Sequence, residues 1–340
     1  MKAQFCILIF TFWFALNALS AEAEKFHSTA DAMLIVADLL KIPVAYPEVS
    51  VMVQEERKEE GLIIEDIRWR SLDDQTPLAY IIRPASATVP LPAIICLHGT
   101  NGSRESMTTE FYGIGPRKRP DSNTSHQRML GWARELARRG YLTLALTQRG
   151  LDIRTPDTND QAKDLLVRGR NLMGAIVHEI RQAVSHLHQR PDVNRNKIGI
   201  TGMSFGGITT FYTWLVDDRI AAAAPICGGV GSVDLFLKQG SVSYHGFYWW
   251  IPGMLLKGDQ GDFAASMAPR PLMLWAPLDD IGMPKEGVDQ FLEKTQPAYE
   301  QAGAPRNLVI HRPPGEHAFT PDAFEAMVQF FDQFLKRDQR

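Results

Sequence analysis

From about residue 90 onward the chain alternates short unbroken apolar runs with longer segments of helical periodicity. Ala93 to Leu97, Tyr141 to Leu146, Lys197 to Thr201, Ile220 to Ile226, Leu272 to Ala276 and Asn307 to Ile310 have the form of parallel strands buried on both faces, which keep no polar alternation. Between them Leu172, Ile176, Ile180, Val184 and Leu187 recur at helical spacing, while Arg181, Gln182 and His188 fall on other faces, so this stretch predicts an amphipathic helix. Pro321 to Leu335 predicts a second, C-terminal helix. Upstream the period changes. Leu62 to Arg70 and Leu78 to Arg83 alternate and are rich in Ile, and Asp73-Asp74-Gln75-Thr76 lies between them, the pattern of an antiparallel hairpin. Asp31 to Leu40 predicts a short helix ended by Pro43, with Pro47 keeping the chain irregular beyond it. The predicted class is α/β, with a mostly parallel central sheet, helices on both faces and an N-terminal antiparallel hairpin.

Two stretches break this rhythm. Ser103 to Gln127, with Gly113, Gly115, Pro116, Pro120 and Arg117-Lys118-Arg119, has no period and predicts a long loop of the kind retained for function. Tyr244 to Trp250 (YHGFYWW) is densely aromatic, a composition suited either to filling a core or to stacking on a sugar or aryl ring.

Composition narrows the function without naming it. The 340 residues carry 36 Lys plus Arg against 39 Asp plus Glu, a net charge of −3, with 45% hydrophobic and 22% charged residues. This excludes disorder, collagen and a multi-pass membrane protein. It gives no attraction for a polyanion, so nucleic acid is not an expected partner. The first 23 residues are expected to be a secretory signal: Lys2 precedes an apolar run from Phe5 to Leu16, and Ala21-Glu22-Ala23 offers small residues at the cleavage positions. The run is shorter than the roughly 20 residues of a permanent span. The expected organisation is a signal at 1–23, an extension at 24–61 and one folded domain at 62–340, in a secreted or periplasmic protein with no membrane attachment after cleavage. Cys6 falls inside the apolar run, and the remaining Cys96 and Cys227 lie in strand-like runs, where buried unpaired thiols are expected.

Candidate chemistry begins at Gly202-Met203-Ser204-Phe205-Gly206-Gly207, between a predicted strand and the apolar segment Ile208 to Val216. A serine on such a sharp turn has its hydroxyl pushed out of the sheet, and flanking glycines are required because side chains would collide with neighbouring backbone. Serine needs a base, and the base needs an acid to hold its tautomer. Downstream of Ser204 the histidines are His245, His311 and His317. His311 sits within an apolar run, whereas His317 follows Pro313-Pro314-Gly315 in a loop after the last strand, which favours His317. The acid is expected just after Leu272 to Ala276, where Asp279 and Asp280 are adjacent. The oxyanion of the tetrahedral intermediate needs backbone N–H donors: Phe205, next to the nucleophile, and Thr100 in the loop His98-Gly99-Thr100-Asn101-Gly102, with His98 supporting that loop. Gly99 to Gly102 lacks a dinucleotide pattern, and no His/Cys cluster has zinc spacing, so no cofactor and no metal are expected.

With these residues in place, the chain from 62 to 335 resembles the α/β-hydrolase superfamily. Within it, the resemblance is to bacterial secreted esterases grouped with dienelactone hydrolases and acetyl xylan esterases. The resemblance is carried by Leu97-His98-Gly99, Gln148-Arg149-Gly150, Arg190-Pro191-Asp192-Val193, Ile198 to Ser204, Ala268-Pro269-Arg270-Pro271-Leu272 and Gly315-Glu316-His317. It implies that Asp280, four residues before Pro284, is the acid, with Asp279 the alternative; Asp279 would otherwise be a solvated or loop-capping carboxylate. It also implies a serine esterase acting on a small-molecule or carbohydrate ester, such as an acetyl group on a plant polysaccharide. Dienelactone hydrolases proper use a cysteine nucleophile, and Ser204 in its place argues against their substrate. Prolyl oligopeptidase-type peptidases share a similar catalytic domain but precede it with a large propeller. A small serine peptidase and a non-catalytic binding protein on the same fold are the rival readings.

Overall fold

The apolar runs become the strands of one sheet. The computed structural model describes residues 28–116, 127–150 and 158–336. Its strands are β1 (Val51–Glu59), β2 (Leu62–Trp69), β3 (Leu78–Pro84), β4 (Leu91–Leu97), β5 (Gly113–Pro116), β6 (Gln127–Leu130), β7 (Leu142–Thr147), β8 (Val193–Met203), β9 (Ala222–Ile226), β10 (Leu272–Trp275) and β11 (Leu308–His311). Nine of them form a sheet in the order β1-β2-β3-β7-β4-β8-β9-β10-β11. From β7 to β11 the neighbours run parallel; the β1/β2, β2/β3 and β3/β7 pairs are antiparallel. The expected α/β class and N-terminal hairpin are therefore present.

Alternate residues of β4 feed two separate cores. Ile95 and Leu97 face the layer containing the helices Leu172–Gln189 and Phe205–Val216, while Ile94 and Cys96 face the layer containing Trp132–Arg138 and Pro321–Phe331. All four residues are fully buried, so neither face could carry a polar residue at low cost. Helix Thr29–Leu40 is capped by Ser28, whose side chain accepts the Asp31 N–H, and it packs on the helices Leu172–Gln189 and Phe205–Val216. Its last turn approaches so closely that a Cβ on Gly174 would lie 1.7 Å from the Leu40 carbonyl oxygen. Arg181, buried in the helix Leu172–Gln189, donates to the carbonyls of Pro43 and Val44 at 2.5 and 2.8 Å, which satisfies the irregular backbone that the prolines impose.

β1 was not expected from the sequence. Val51–Glu59 (VMVQEERKE) is an exposed edge strand, so it has no apolar face to produce a period, and its charges protect an otherwise open edge. It pairs with β2 through the two-residue turn Glu60-Gly61, with φ of +47° and +77°, the doubly left-handed geometry that suits the twist of a tight hairpin. The stretch read as a long loop also differs in part. It contains a short helix, Arg104–Thr108, and β5, which pairs with β6 in a separate ribbon. The basic cluster Arg117-Lys118-Arg119 and Pro120 lie outside the described residues, as does the expected signal. Among the described residues no helix is long and apolar enough to cross a membrane.

Several sequence motifs turn out to brace the sheet. Arg190 makes paired contacts with Glu65 at 2.7 and 2.8 Å and with Asp192 at 2.8 Å twice, linking the start of β8 to β2. Arg270 donates to the carbonyls of Asp217 and Ile220 at 2.9 and 3.2 Å, which ties the approach to β10 to the chain entering β9. Both cysteines of the described chain are buried and unpaired, and burial pushes both thiols well above their ordinary range.

Candidate active site

The parallel strands β8, β10 and β11 end on the same side of the sheet, and their following loops bring three distant residues together. Ser204 joins β8 to the helix Phe205–Val216 with φ +58° and ψ −115°. This is a strained conformation for a residue with a Cβ, of the kind that persists where surrounding structure enforces it. The enforcement is visible in its glycines: a Cβ on Gly202 would lie 2.5 Å from the Gly206 carbonyl oxygen, and one on Gly206 would lie 2.2 Å from that of Leu97. The Ser204 N–H donates to Ile226 at 2.8 Å, fastening the turn to β9.

His317, in the loop between β11 and the helix Pro321–Phe331, has Nε2 2.8 Å from Ser204 Oγ. Its Nδ1 lies 2.8 and 3.0 Å from the two oxygens of Asp280, in the loop after β10. A carboxylate only accepts, so Nδ1 carries the hydrogen and Nε2 presents its lone pair to the serine hydroxyl. Both side chains are largely buried, which keeps competing water from these contacts. Asp279 points elsewhere. Its Oδ2 accepts the Gly315 N–H at 3.0 Å and its own N–H donates to the Gly315 carbonyl at 3.0 Å, so it fastens the Asp280 loop to the His317 loop. His311 stays within β11, its ring 5.5 Å from that of Trp275.

The loop after β4 closes over the serine. A Cβ on Gly99 would lie 3.6 Å from Ser204 Cβ and 3.2 Å from the Met203 carbonyl oxygen, so the loop that carries Thr100 packs against the Ser204 turn at Gly99. His98 supports this loop as expected: Nδ1 donates to the Gly99 carbonyl at 2.8 Å and Nε2 accepts the Gln148 N–H at 2.9 Å. Gln148 in turn donates to the His98 carbonyl at 2.8 Å and accepts from Thr209 Oγ1 at 2.6 Å. The Gln148-Arg149-Gly150 motif thus ties the Thr100 loop to the helix that begins at Phe205. That helix start leaves the Phe205 N–H without an intrahelical acceptor.

Sequence reasoning passed over three neighbours of the site. Cys227, at φ +48°, donates to the Ala318 carbonyl at 3.4 Å, and its Sγ, an Asp280 oxygen and a His317 nitrogen lie within 4.8 Å of one another. Ligand spacing along the chain gave no hint of this cluster, because its members come from three different strand ends. Tyr244 presents its ring to that of His317 at 5.9 Å, nearly perpendicular. His245, beside it, is buried against the Asp280 loop. Within the aromatic segment Tyr248 is core, while Phe247, Trp249 and Trp250 help line an apolar cavity of about 320 Å³ with Leu166, Leu237 and Met254, Trp249 being buried at its base.

Residues 122–335 match the model of the dienelactone hydrolase family. The chain belongs to that family. It is an ester-hydrolysing enzyme on the α/β-hydrolase fold. YtaP of Bacillus subtilis (strain 168), named as a hydrolase, is 25% identical over 282 residues, covering 83% of this chain and 90% of its own length. Among solved structures, an acetyl xylan esterase from Paenibacillus sp. R4 superposes with a TM-score of 0.65 at 17% identity, over 91% of this chain and 96% of that one. A glucuronoyl esterase from Solibacter usitatus also gives 0.65, at 15% identity, over 89% of this chain and 91% of its own. At these identities the superpositions establish a shared fold, and substrate is a separate question.

Proposed function

We propose that this member of the dienelactone hydrolase family is an exported serine esterase that cleaves a carboxylic ester through an acyl-enzyme. The observation that carries the reading is the continuous line from Asp280 through His317 to Ser204 Oγ, with contacts of 2.8 Å at each step. In the proposed reaction Ser204 Oγ attacks the ester carbonyl carbon while its proton passes to His317 Nε2. Asp280 holds the Nδ1–H and stabilises the imidazolium. The N–H groups of Thr100 and Phe205 receive the oxyanion. Collapse breaks the bond to the alcohol, which leaves with the proton from His317. Water then repeats the sequence on the acyl-serine, releasing the acid and restoring the hydroxyl. No step calls for a metal or an organic cofactor.

A serine at the turn, where dienelactone hydrolases proper have cysteine, directs the reading away from their substrate. An acetyl ester on a plant polysaccharide is the substrate proposed, by analogy with the acetyl xylan esterase that shares the fold. Removal of residues 1–23 on export would place the enzyme where such polymers are met.

A substrate panel tests this. Acetylated xylo-oligosaccharides and a short-chain aryl acetate should be hydrolysed, feruloyl esters more slowly, and a chromogenic peptide not at all. Peptide cleavage without ester cleavage would make the protein a peptidase, and inactivity on every member would favour a binding protein.

A further inference from the structure

Behind the acid stands a second histidine for which the proton path has no use. His245 Nε2 lies 2.7 Å from the Gly282 carbonyl oxygen and Nδ1 lies 3.3 Å from the Tyr248 hydroxyl. Because a carbonyl only accepts, Nε2 carries the hydrogen and Nδ1 is left to accept the Tyr248 O–H. The ring is stacked on Trp249 at 4.4 Å and 7°, and is flanked by Phe236 at 5.1 Å and Tyr244 at 5.0 Å. Desolvation in this aromatic box holds the imidazole down to about 4, so it stays a neutral donor across the range in which an esterase of this kind would work.

The residue it grips is the one that touches the acid. The Gly282 N–H donates to Asp280 Oδ1 at 2.8 Å, the same oxygen that stands 2.8 Å from His317 Nδ1. The packing leaves no slack. A Cβ on Gly282 would lie 3.0 Å from Asp280 Oδ1 and 3.2 Å from Tyr244 Cε1; one on Gly229 would lie 3.0 Å from His245 Cε1 and 3.1 Å from the Gly282 carbonyl oxygen.

We propose that His245 is a positioning residue: by holding the Gly282 carbonyl it fixes the Gly282 N–H on Asp280 and so sets the angle at which Asp280 meets His317. This rests on the triad reading given above. Trp249 and Tyr248 act one step further out, the first by holding the plane of the ring and the second by donating its hydroxyl to the Nδ1 lone pair that the Gly282 contact leaves free. The charged or titratable groups that face His245 are Asp280 and His317 from the loops after β10 and β11, with Tyr244 and Tyr248 on its own segment.

Steady-state kinetics of His245→Ala, His245→Gln and Tyr248→Phe, with Ser204→Ala as reference, tests the proposal. A displaced acid should lower kcat of His245→Ala roughly 10- to 100-fold, the order that a misplacement of about 1 Å costs, with KM little changed. The acid limb of kcat/KM should move to lower pH, because a poorly placed carboxylate stabilises the imidazolium less. Glutamine can still offer an N–H to Gly282, so His245→Gln should recover most of kcat and return the limb towards wild type. Tyr248→Phe keeps the ring box and should give a smaller loss in the same direction; it and the glutamine variant carry the test if the alanine variant does not fold. Unchanged kcat and pH limb in His245→Ala would overturn the proposal, as would an equal loss in the alanine and glutamine variants with no movement of the limb, since that pattern reports a space-filling ring. A rise in KM alone would overturn it in favour of substrate contact. Activity surviving in Ser204→Ala would instead defeat the triad reading itself, which separates the two failures.

Discussion

Ser204→Ala should lower kcat by about 10⁴-fold or more while the protein keeps its fold. The substitution removes one oxygen whose partner is His317 Nε2 at 2.8 Å, and it leaves the rest of the turn in place. The backbone strain at φ +58° is held by contacts of Gly202 and Gly206 with neighbouring carbonyls and by the Ser204 N–H to Ile226, none of which involves the hydroxyl. Thermal stability should therefore stay close to that of the wild type. On the proposed mechanism no acyl-enzyme would form without Oγ, and the residual rate would come from substrate binding and the N–H donors of Thr100 and Phe205 alone. Activity within tenfold of wild type, with a normal thermal transition, would remove Ser204 from the reaction.

Asp280→Asn should cost roughly 10³- to 10⁴-fold in kcat, and Asp279→Asn far less. An asparagine at 280 keeps the shape but can turn its NH₂ towards His317 Nδ1. The ring then favours the tautomer with hydrogen on Nε2, where it has no lone pair for the Ser204 proton. It also loses the negative charge that stabilises the imidazolium. Asp279 is a different case, since its carboxylate accepts from the Gly315 N–H, and an asparagine oxygen accepts that bond equally well. Measuring kcat for both variants settles the ranking; the reverse order would transfer the role to Asp279.

What the sequence could and could not disclose follows from the range of each signal. Strands buried on both faces, such as β4 and β7, need largely apolar runs, so they were legible to within two residues at their ends. β1 was not, because an exposed edge strand is held by backbone hydrogen bonds to β2 and asks nothing of its side chains. Ser204 and His317 were legible because a strand–serine–helix turn needs its glycines and because His317 follows the last strand in a Pro-Gly loop. Asp279 and Asp280 were not separable from the residues alone, since their difference lies in whether the carboxylate turns to Gly315 or to His317. Cys227 and His245 were invisible as neighbours of the site for a related reason. One follows β9 and the other lies in a long connection before β10, and only the sheet order brings them to Asp280. The motifs Gln148-Arg149-Gly150 and Arg190-Pro191-Asp192 were visible as patterns, yet their work as braces between distant strands needed three dimensions.

The central claim, that Ser204 is the nucleophile of an esterase, is tested most directly by covalent trapping. The purified enzyme is treated with an organophosphorus ester reagent until hydrolysis of an aryl acetate stops, then digested and mapped by mass spectrometry. The expected result is one adduct per chain, on the peptide containing Gly202 to Gly207 and located on Ser204, with activity lost in proportion to labelling and unaffected by a chelator beforehand. Reagent-resistant activity, or an adduct on another residue that tracks the loss, would contradict it and place the chemistry elsewhere in the chain.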